Sequence, residues 1–102
     1  MGWVKVARVS DVPVGSMVQV TVDEEDIALY HLEEGFYATS DVCTHAGESL
    51  TQGTLSGHIV ACPKHGGKFD VCTGAATAFP CVTPVQTFSV EVREDEVWLN
   101  YD

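Results

Sequence analysis

Two short pairs of metal-ligand side chains stand out in the chain: Cys43-Thr44-His45 and, after a gap of sixteen residues, Cys62-Pro63-Lys64-His65. Each pair joins one thiolate to one imidazole, first with one residue between them and then with two. Small or turn-forming neighbours accompany both, Ala46-Gly47 after the first and Pro63 with Gly66-Gly67 around the second. Such residues describe two loops that present their ligands toward each other. Sulfur and imidazole nitrogen together point to a transition-metal centre.

Loops of this kind need a rigid base. Apolar residues recur with period two at Val4 and Val6, at Val18, Val20 and Val22, at Ile27 and Leu29, at Phe88, Val90 and Val92, and at Val97, Leu99 and Tyr101. That alternation predicts short strands, each with one buried face. Turn signals separate them at Pro13-Val14-Gly15, in the acidic run 23–26, at Glu34-Gly35 and at Glu94-Asp95. No stretch carries a helical stripe. The expected fold is all-β, a small antiparallel sandwich or barrel. Residues 41–83 differ in composition: they hold all four cysteines and are rich in glycine. They read as a loop-rich ligand-bearing subdomain set on a base of residues 1–40 and 84–102, the whole forming one domain over 1–102. Within it, His58-Ile59-Val60-Ala61 is expected to be a strand entering the second pair, and Lys68-Phe69-Asp70-Val71 a strand leaving it.

A chain of 102 residues supports one modest core, so stability is expected to lean on the metal. No apolar run approaches the length of a membrane span, and residues 1–5 lack the apolar segment of a signal peptide. The expectation is a soluble, cytoplasmic monomer whose cysteines are reduced thiols. With 15 acidic against 5 basic residues the formal charge is −10, which repels nucleic acid and anionic membrane surfaces. The acidic clusters at 23–26, 33–34 and 94–96 read as solvated turns or as docking points for a protein partner.

Two centres compete for the mixed pairs. One Zn2+ accepts two Cys and two His tetrahedrally, but zinc fingers group Cys with Cys and His with His, which this chain does not. A [2Fe-2S] cluster in which one iron takes two thiolates and the other two imidazoles draws on a mixed pair from each loop. The chain resembles the Rieske iron–sulfur proteins, whose pattern is Cys-x-His, a gap, then Cys-x-x-His. The resemblance runs through Cys43-Thr44-His45-Ala46-Gly47, Gly53, Gly57, Cys62-Pro63-Lys64-His65-Gly66-Gly67, Phe69-Asp70, Thr73-Gly74 and Phe79-Pro80-Cys81. It looks most like the soluble Rieske ferredoxins of bacterial aromatic-ring-hydroxylating dioxygenase systems. It implies one [2Fe-2S] cluster, with Cys43 and Cys62 on the inner iron and His45 and His65 on the outer one.

By the same resemblance the chain is not an enzyme. The resemblance implies a low-potential one-electron carrier between a flavoprotein NAD(P)H reductase and a terminal Rieske oxygenase. The alternatives are the Rieske-like small subunit of assimilatory nitrite reductase and a structural zinc-binding interaction module. Charge counting supports easy reduction: two ferric ions, two sulfides and two thiolates sum to zero, whereas a four-thiolate cluster starts at −2. Rieske potentials accordingly lie in a range of roughly −150 to +300 mV, above plant-type ferredoxins.

Respiratory Rieske proteins carry a disulfide between the two ligand loops, where this chain has Glu48 and Lys64. They also carry Ser and Tyr hydroxyls near the cluster, where it has Gly67 and Phe69. The potential is therefore expected near the low end. A small apolar docking face is expected around the histidines, formed by Ala46, Gly47, Gly66, Gly67 and Pro80 and rimmed by Lys64, Lys68 and Glu48.

The remaining His31, near a sheet edge, and His58, at a strand start, suggest no mononuclear iron triad, and no glycine-rich phosphate loop follows a strand. Cys72 and Cys81 read as partly buried thiols that the fold could bring near one another. Trp3 and Trp98 read as packing residues of the base.

Overall fold

The alternating runs become strands in the computed structural model, which describes residues 2–44 and 47–101. In chain order they are β1 (Gly2–Arg8), β2 (Ser16–Val22), β3 (Glu25–Leu32), β4 (Gly35–Ser40), β5 (Thr54–Ser56), β6 (Ile59–Ala61), β7 (Lys68–Asp70), β8 (Ala76–Ala78), β9 (Thr87–Phe88), β10 (Val90–Arg93) and β11 (Glu96–Tyr101). Two single-turn 3-10 segments, Val9–Asp11 and Leu50–Gln52, are the only helical pieces among the described residues. No described helix is long and apolar enough to cross a membrane. The fold is all-β and antiparallel, as the periodicity predicts.

Three sheets form, in the orders β1-β11-β10, β2-β3-β4-β9 and β5-β6-β7-β8. Hairpins with two-residue tips join neighbours in the first two, because Val22 pairs with Glu25, Leu32 with Gly35 and Arg93 with Glu96. Asp23 and Glu24 occupy the first tip at φ 53° and 69°, the mirror-image turn that matches strand twist. Glu25 and Asp26, expected in that turn, instead begin β3, where Glu25 accepts a 2.6 Å hydrogen bond from the Tyr101 hydroxyl.

β3 departs from the expectation of one buried face. Ile27, Ala28, Leu29 and Tyr30 are all fully buried because the strand stands between two cores. Ile27 and Leu29 pack with Val12, Val22, Ala38, Val97 and Leu99 in the base. Ala28, Tyr30 and Leu32 face the other way, onto Leu50, Val60, Phe69, Val71 and the thiols of Cys43, Cys62 and Cys81. Period two thus assigns alternate residues to two apolar environments.

The run at Phe88, Val90 and Val92 also behaves differently: it divides at Ser89. Thr87–Phe88 pairs with β4 in the second sheet, while Val90–Arg93 pairs with β11 in the first. His31 does not lie at an edge, since β3 is bonded on both sides. Its Nδ1–H donates to the Val12 carbonyl at 2.6 Å and its ring stacks on Phe36 with centroids 3.9 Å apart. Trp3 and Trp98 lie on an outer face of the base, with the Arg93 guanidinium over both rings at 5.4 and 4.6 Å. Such contacts contribute about 0.5–1 kcal/mol where exposed.

Candidate metal centre

Three segments converge beside the even face of β3. The first leaves β4 through Asp41, which is fully buried. Its carboxylate accepts from Gln19 Nε2 at 2.6 Å, from the Ser49 hydroxyl at 2.5 Å and from the Thr51 amide at 2.9 Å. Its own amide donates to the Asp26 carbonyl at 3.1 Å, and its carbonyl accepts from Leu50 at 2.7 Å. A charge at this depth is tolerated because these donors replace water. Asp41 therefore fastens both ends of the loop that carries Cys43. The loop closes on itself through Cys43 N–H to the Glu48 carbonyl at 2.8 Å and Gly47 N–H to the Cys43 carbonyl at 2.9 Å.

The second segment is the tip of the β6–β7 hairpin, which positions Cys62 and His65. The two expected strands form but are one residue shorter, Ile59–Ala61 and Lys68–Asp70, with His58 and Val71 left in turns; Ile59 pairs with Asp70 and Ala61 with Lys68. The Cys62 amide donates to the Gly67 carbonyl at 2.8 Å and closes the tip. His65 has φ 66° and the following Gly66 φ 75°. The left-handed conformation is uncommon for a non-glycine residue, and such outliers concentrate at functional sites. Cys62 is buried while His65 is exposed, so this loop turns its sulfur toward the core and leaves its imidazole at the surface. Lys64 Nζ lies 3.5 Å from Glu48 Oε2 and ties the two loops together with an ion pair. The pair spans the two positions where respiratory Rieske proteins place their disulfide. Being half-exposed, it contributes only about 0.2–1 kcal/mol.

The third segment, residues 79–85, was expected to lend Pro80 to the face around the histidines, but not a buried sulfur. Cys81 is buried, its sulfur 3.7 Å from that of Cys43 and distant in sequence from it. Cys72, in contrast, is exposed. Gly67 makes the approach possible: a Cβ there would overlap the Cys81 sulfur. Gly67 is consequently buried and is not part of an open tip; Gly47, Gly66, Lys64 and Lys68 are exposed as expected. The Thr44 hydroxyl donates to the Thr83 carbonyl at 2.8 Å and anchors this segment to the first loop. Phe79 and Val82, which flank Cys81, are 83% and 71% exposed. They add apolar surface beside the centre that the glycine-and-proline reading overlooked. His45 and Ala46 lie outside the described residues.

The electrostatics suit soft metal binding. Burial, followed by the adjoining Cys43 thiol, pushes the Cys81 thiol up to about 11, so it keeps its proton at neutral pH. Burial also raises Cys62 above the usual thiol range. A buried thiolate needs a compensating positive charge, which a metal supplies. Buried sulfur donors with an exposed imidazole beside them fit a cluster that has one enclosed and one surface-facing iron.

The sequence pattern of the Rieske [2Fe-2S] domain matches residues 2–89. The chain belongs to that family. Its cofactor is one Rieske-type [2Fe-2S] cluster, which sets aside the structural zinc reading. The chain is 45% identical over 98 residues to the protein named Ferredoxin CarAc of Metapseudomonas resinovorans, covering 95% of this chain and 92% of that one. The ferredoxin of carbazole 1,9a-dioxygenase from Nocardioides aromaticivorans IC177 superposes with a TM-score of 0.95 at 33% identity, over 100% of both chains. A chain from a complex of reduced oxygenase and oxidized ferredoxin in carbazole 1,9a-dioxygenase gives a TM-score of 0.91 at 44% identity, covering 96% of this chain and 92% of that one. A nitrite reductase small subunit superposes at 0.83 with 21% identity, a likeness of fold alone.

Proposed function

We propose that this chain is the ferredoxin component of an aromatic-ring-hydroxylating dioxygenase system, a soluble, cytoplasmic, monomeric carrier of single electrons. In this reading Cys43 and Cys62 hold the inner iron, and His45 and His65 the outer one. Residues 41–83 form the cluster-binding subdomain, and 1–40 with 84–102 its base. The observation that carries the proposal is near-full-length similarity to dioxygenase ferredoxins, joined to a site that buries sulfur and exposes imidazole. When bound, the cluster supplies a single reversible electron at a mild potential.

The chain's own residues enclose the sulfur side of the site and leave the His65 side accessible. Phe79 and Val82 offer apolar contact there, and Lys64 and Lys68 lie in exposed positions. One-electron transfer between proteins requires such a short path to the surface. Gly67 and Phe69 supply no hydroxyl to the sulfurs, which supports a potential toward the low end of the Rieske range. The electron donor is proposed to be a flavoprotein NAD(P)H reductase and the acceptor a terminal Rieske oxygenase. Likeness of fold alone gives the nitrite reductase reading no specific support.

Reductive titration of the purified protein followed by EPR tests the cofactor and its ligands together. A rhombic signal from the one-electron-reduced cluster is expected. It should be lost in His65→Ala and Cys62→Ser and retained in His31→Ala. Retention in His65→Ala, or loss in His31→Ala, would overturn the ligand assignment. Reconstitution with reductase and oxygenase components tests the role: absence of oxygenase reduction by the loaded protein would overturn it.

A further inference from the structure

At the end of the β6–β7 hairpin away from the Cys62 loop, three side chains of different chemistry meet. His58 immediately precedes β6, Asp70 ends β7, and Cys72 follows two residues later. One ligand atom from each lies within 4.8 Å of the others. His58 Nδ1 is 3.3 Å from Asp70 Oδ2, and the other carboxylate oxygen accepts the Cys72 amide at 2.8 Å. The backbone beneath is fixed on both sides. Ile59 pairs with Asp70, the Val71 amide donates to the His58 carbonyl at 2.9 Å, and the Gly74 amide donates to the Asp70 carbonyl at 2.7 Å. Asp70 sits on a paired strand, and His58 and Cys72 lie in the turns on either side of the hairpin, which these backbone hydrogen bonds hold against it; such fixing is what a preorganised ligand set requires.

We propose that His58, Asp70 and Cys72 form a second metal site, for a thiophilic divalent cation of the zinc class. Imidazole, carboxylate and thiolate are all zinc ligands, and three of them with solvent in the fourth position make an open tetrahedral site. Ligand atoms around such an ion stand about 3.3–3.8 Å apart, from bond lengths of about 2.0–2.3 Å. Side-chain rotation of about an ångström therefore closes the present spacing. His58 and Cys72 are exposed, so an ion has an entry path. The charges also agree: one carboxylate and one thiolate neutralise a dication, and the nearby Glu34 carboxylate adds attraction. Binding converts the Cys72 thiol to a metal-bound thiolate and releases its proton to the buffer. The site shares no residue with the proposed cluster ligands, and the length of the hairpin separates the two.

The test uses the full-length, cluster-loaded protein. Zinc chloride is titrated calorimetrically while the cluster's visible absorption is followed, and iodoacetamide alkylation of Cys72 is timed by mass spectrometry. The expected result is one zinc per chain with cluster absorption unchanged. Alkylation of Cys72 should slow at least tenfold, and His58→Ala and Cys72→Ser should each weaken binding tenfold or more. Three results would overturn the proposal: no zinc heat above dilution, equal zinc affinity in both variants, or zinc uptake that bleaches the cluster without protecting Cys72. The alkylation arm needs no substitution, so it stands even if a variant folds poorly.

Discussion

The two faces of β3 present one strand with two tasks. On the odd face, Ile27 and Leu29 meet Val97 and Leu99 in an aliphatic core enclosed by paired strands. On the even face, Ala28 and Tyr30 meet Phe69, Val60 and three buried thiols. The loops bearing those thiols are secured mainly by hydrogen bonds to Asp41 and by their own turn closures. The odd face is held by non-directional apolar burial. The even face depends on directed bonds that position the sulfur-bearing loops. The difference teaches that rigidity at the metal side rests on polar geometry braced against a conventional core, so the two sides should fail in different ways.

The largest effect expected is from Cys62→Ser, which should abolish cluster assembly, read as loss of visible absorption and of bound iron. The base should persist, so far-UV circular dichroism should keep its β signature. Collapse of that signature would show that the base does not fold without the metal side. Leu29→Ala should cost about 2–5 kcal/mol by leaving a cavity in the aliphatic core. The cluster spectrum of the folded fraction should stay unchanged.

Asp41→Ala is the matching break on the other side. Stranding the Gln19, Ser49 and Thr51 donors should cost about 3 kcal/mol. In contrast to Leu29→Ala, it should also accelerate cluster loss in the presence of a chelator. Equal cluster half-lives in the two variants would erase the distinction drawn here.

Tyr30 sharpens the comparison through pH. Burial raises its phenol well above the ordinary value of 10.0, and its hydroxyl shares a 2.9 Å hydrogen bond with Thr39. A phenol with a raised folded-state pKa contributes stability that is fully present below the unfolded pKa. It is lost as pH climbs above about 10, where the unfolded chain ionises first. Denaturation at pH 8 and pH 10.5 should show this decline, and Tyr30→Phe should flatten it while costing about 1 kcal/mol at neutral pH.

The smallest effect belongs to Cys81. With Cys43 as the proposed cluster ligand, a protonated Cys81 thiol 3.7 Å away donates weakly to it and favours the more negative reduced state. Cys81→Ala should lower the potential by roughly 20 mV, equivalent to about 0.5 kcal/mol for one electron. Cys81→Ser should recover part of that shift. Protein-film voltammetry resolves such changes, and an unchanged or raised potential in Cys81→Ala would remove the donor role.

Much of this was legible in the residues. Alternation located most of the base strands because an antiparallel sheet with a buried face imposes period two on composition. Acidic doublets marked the hairpin tips because charged residues tolerate solvated turns. The Cys-x-His and Cys-x-x-His spacings were legible because metal ligands must be particular atoms at particular separations. Less visible were the double burial of β3, the division of one apolar run at Ser89, the anchoring by Asp41 and the approach of Cys81 through the space left by Gly67.

The sequence by itself determined strand-forming segments, turn positions and the residues able to ligate a metal, because these follow from local backbone preference and side-chain chemistry within a few positions. Only the tertiary structure decided that Asp41 would gather donors from β2 and from residues 49–51. The same holds for Cys81 joining Cys43, and for His58, Asp70 and Cys72 sharing one corner of a hairpin. Each of those contacts crosses between segments, and its existence depends on strand register and loop closure, which are settled by the packing of the whole chain.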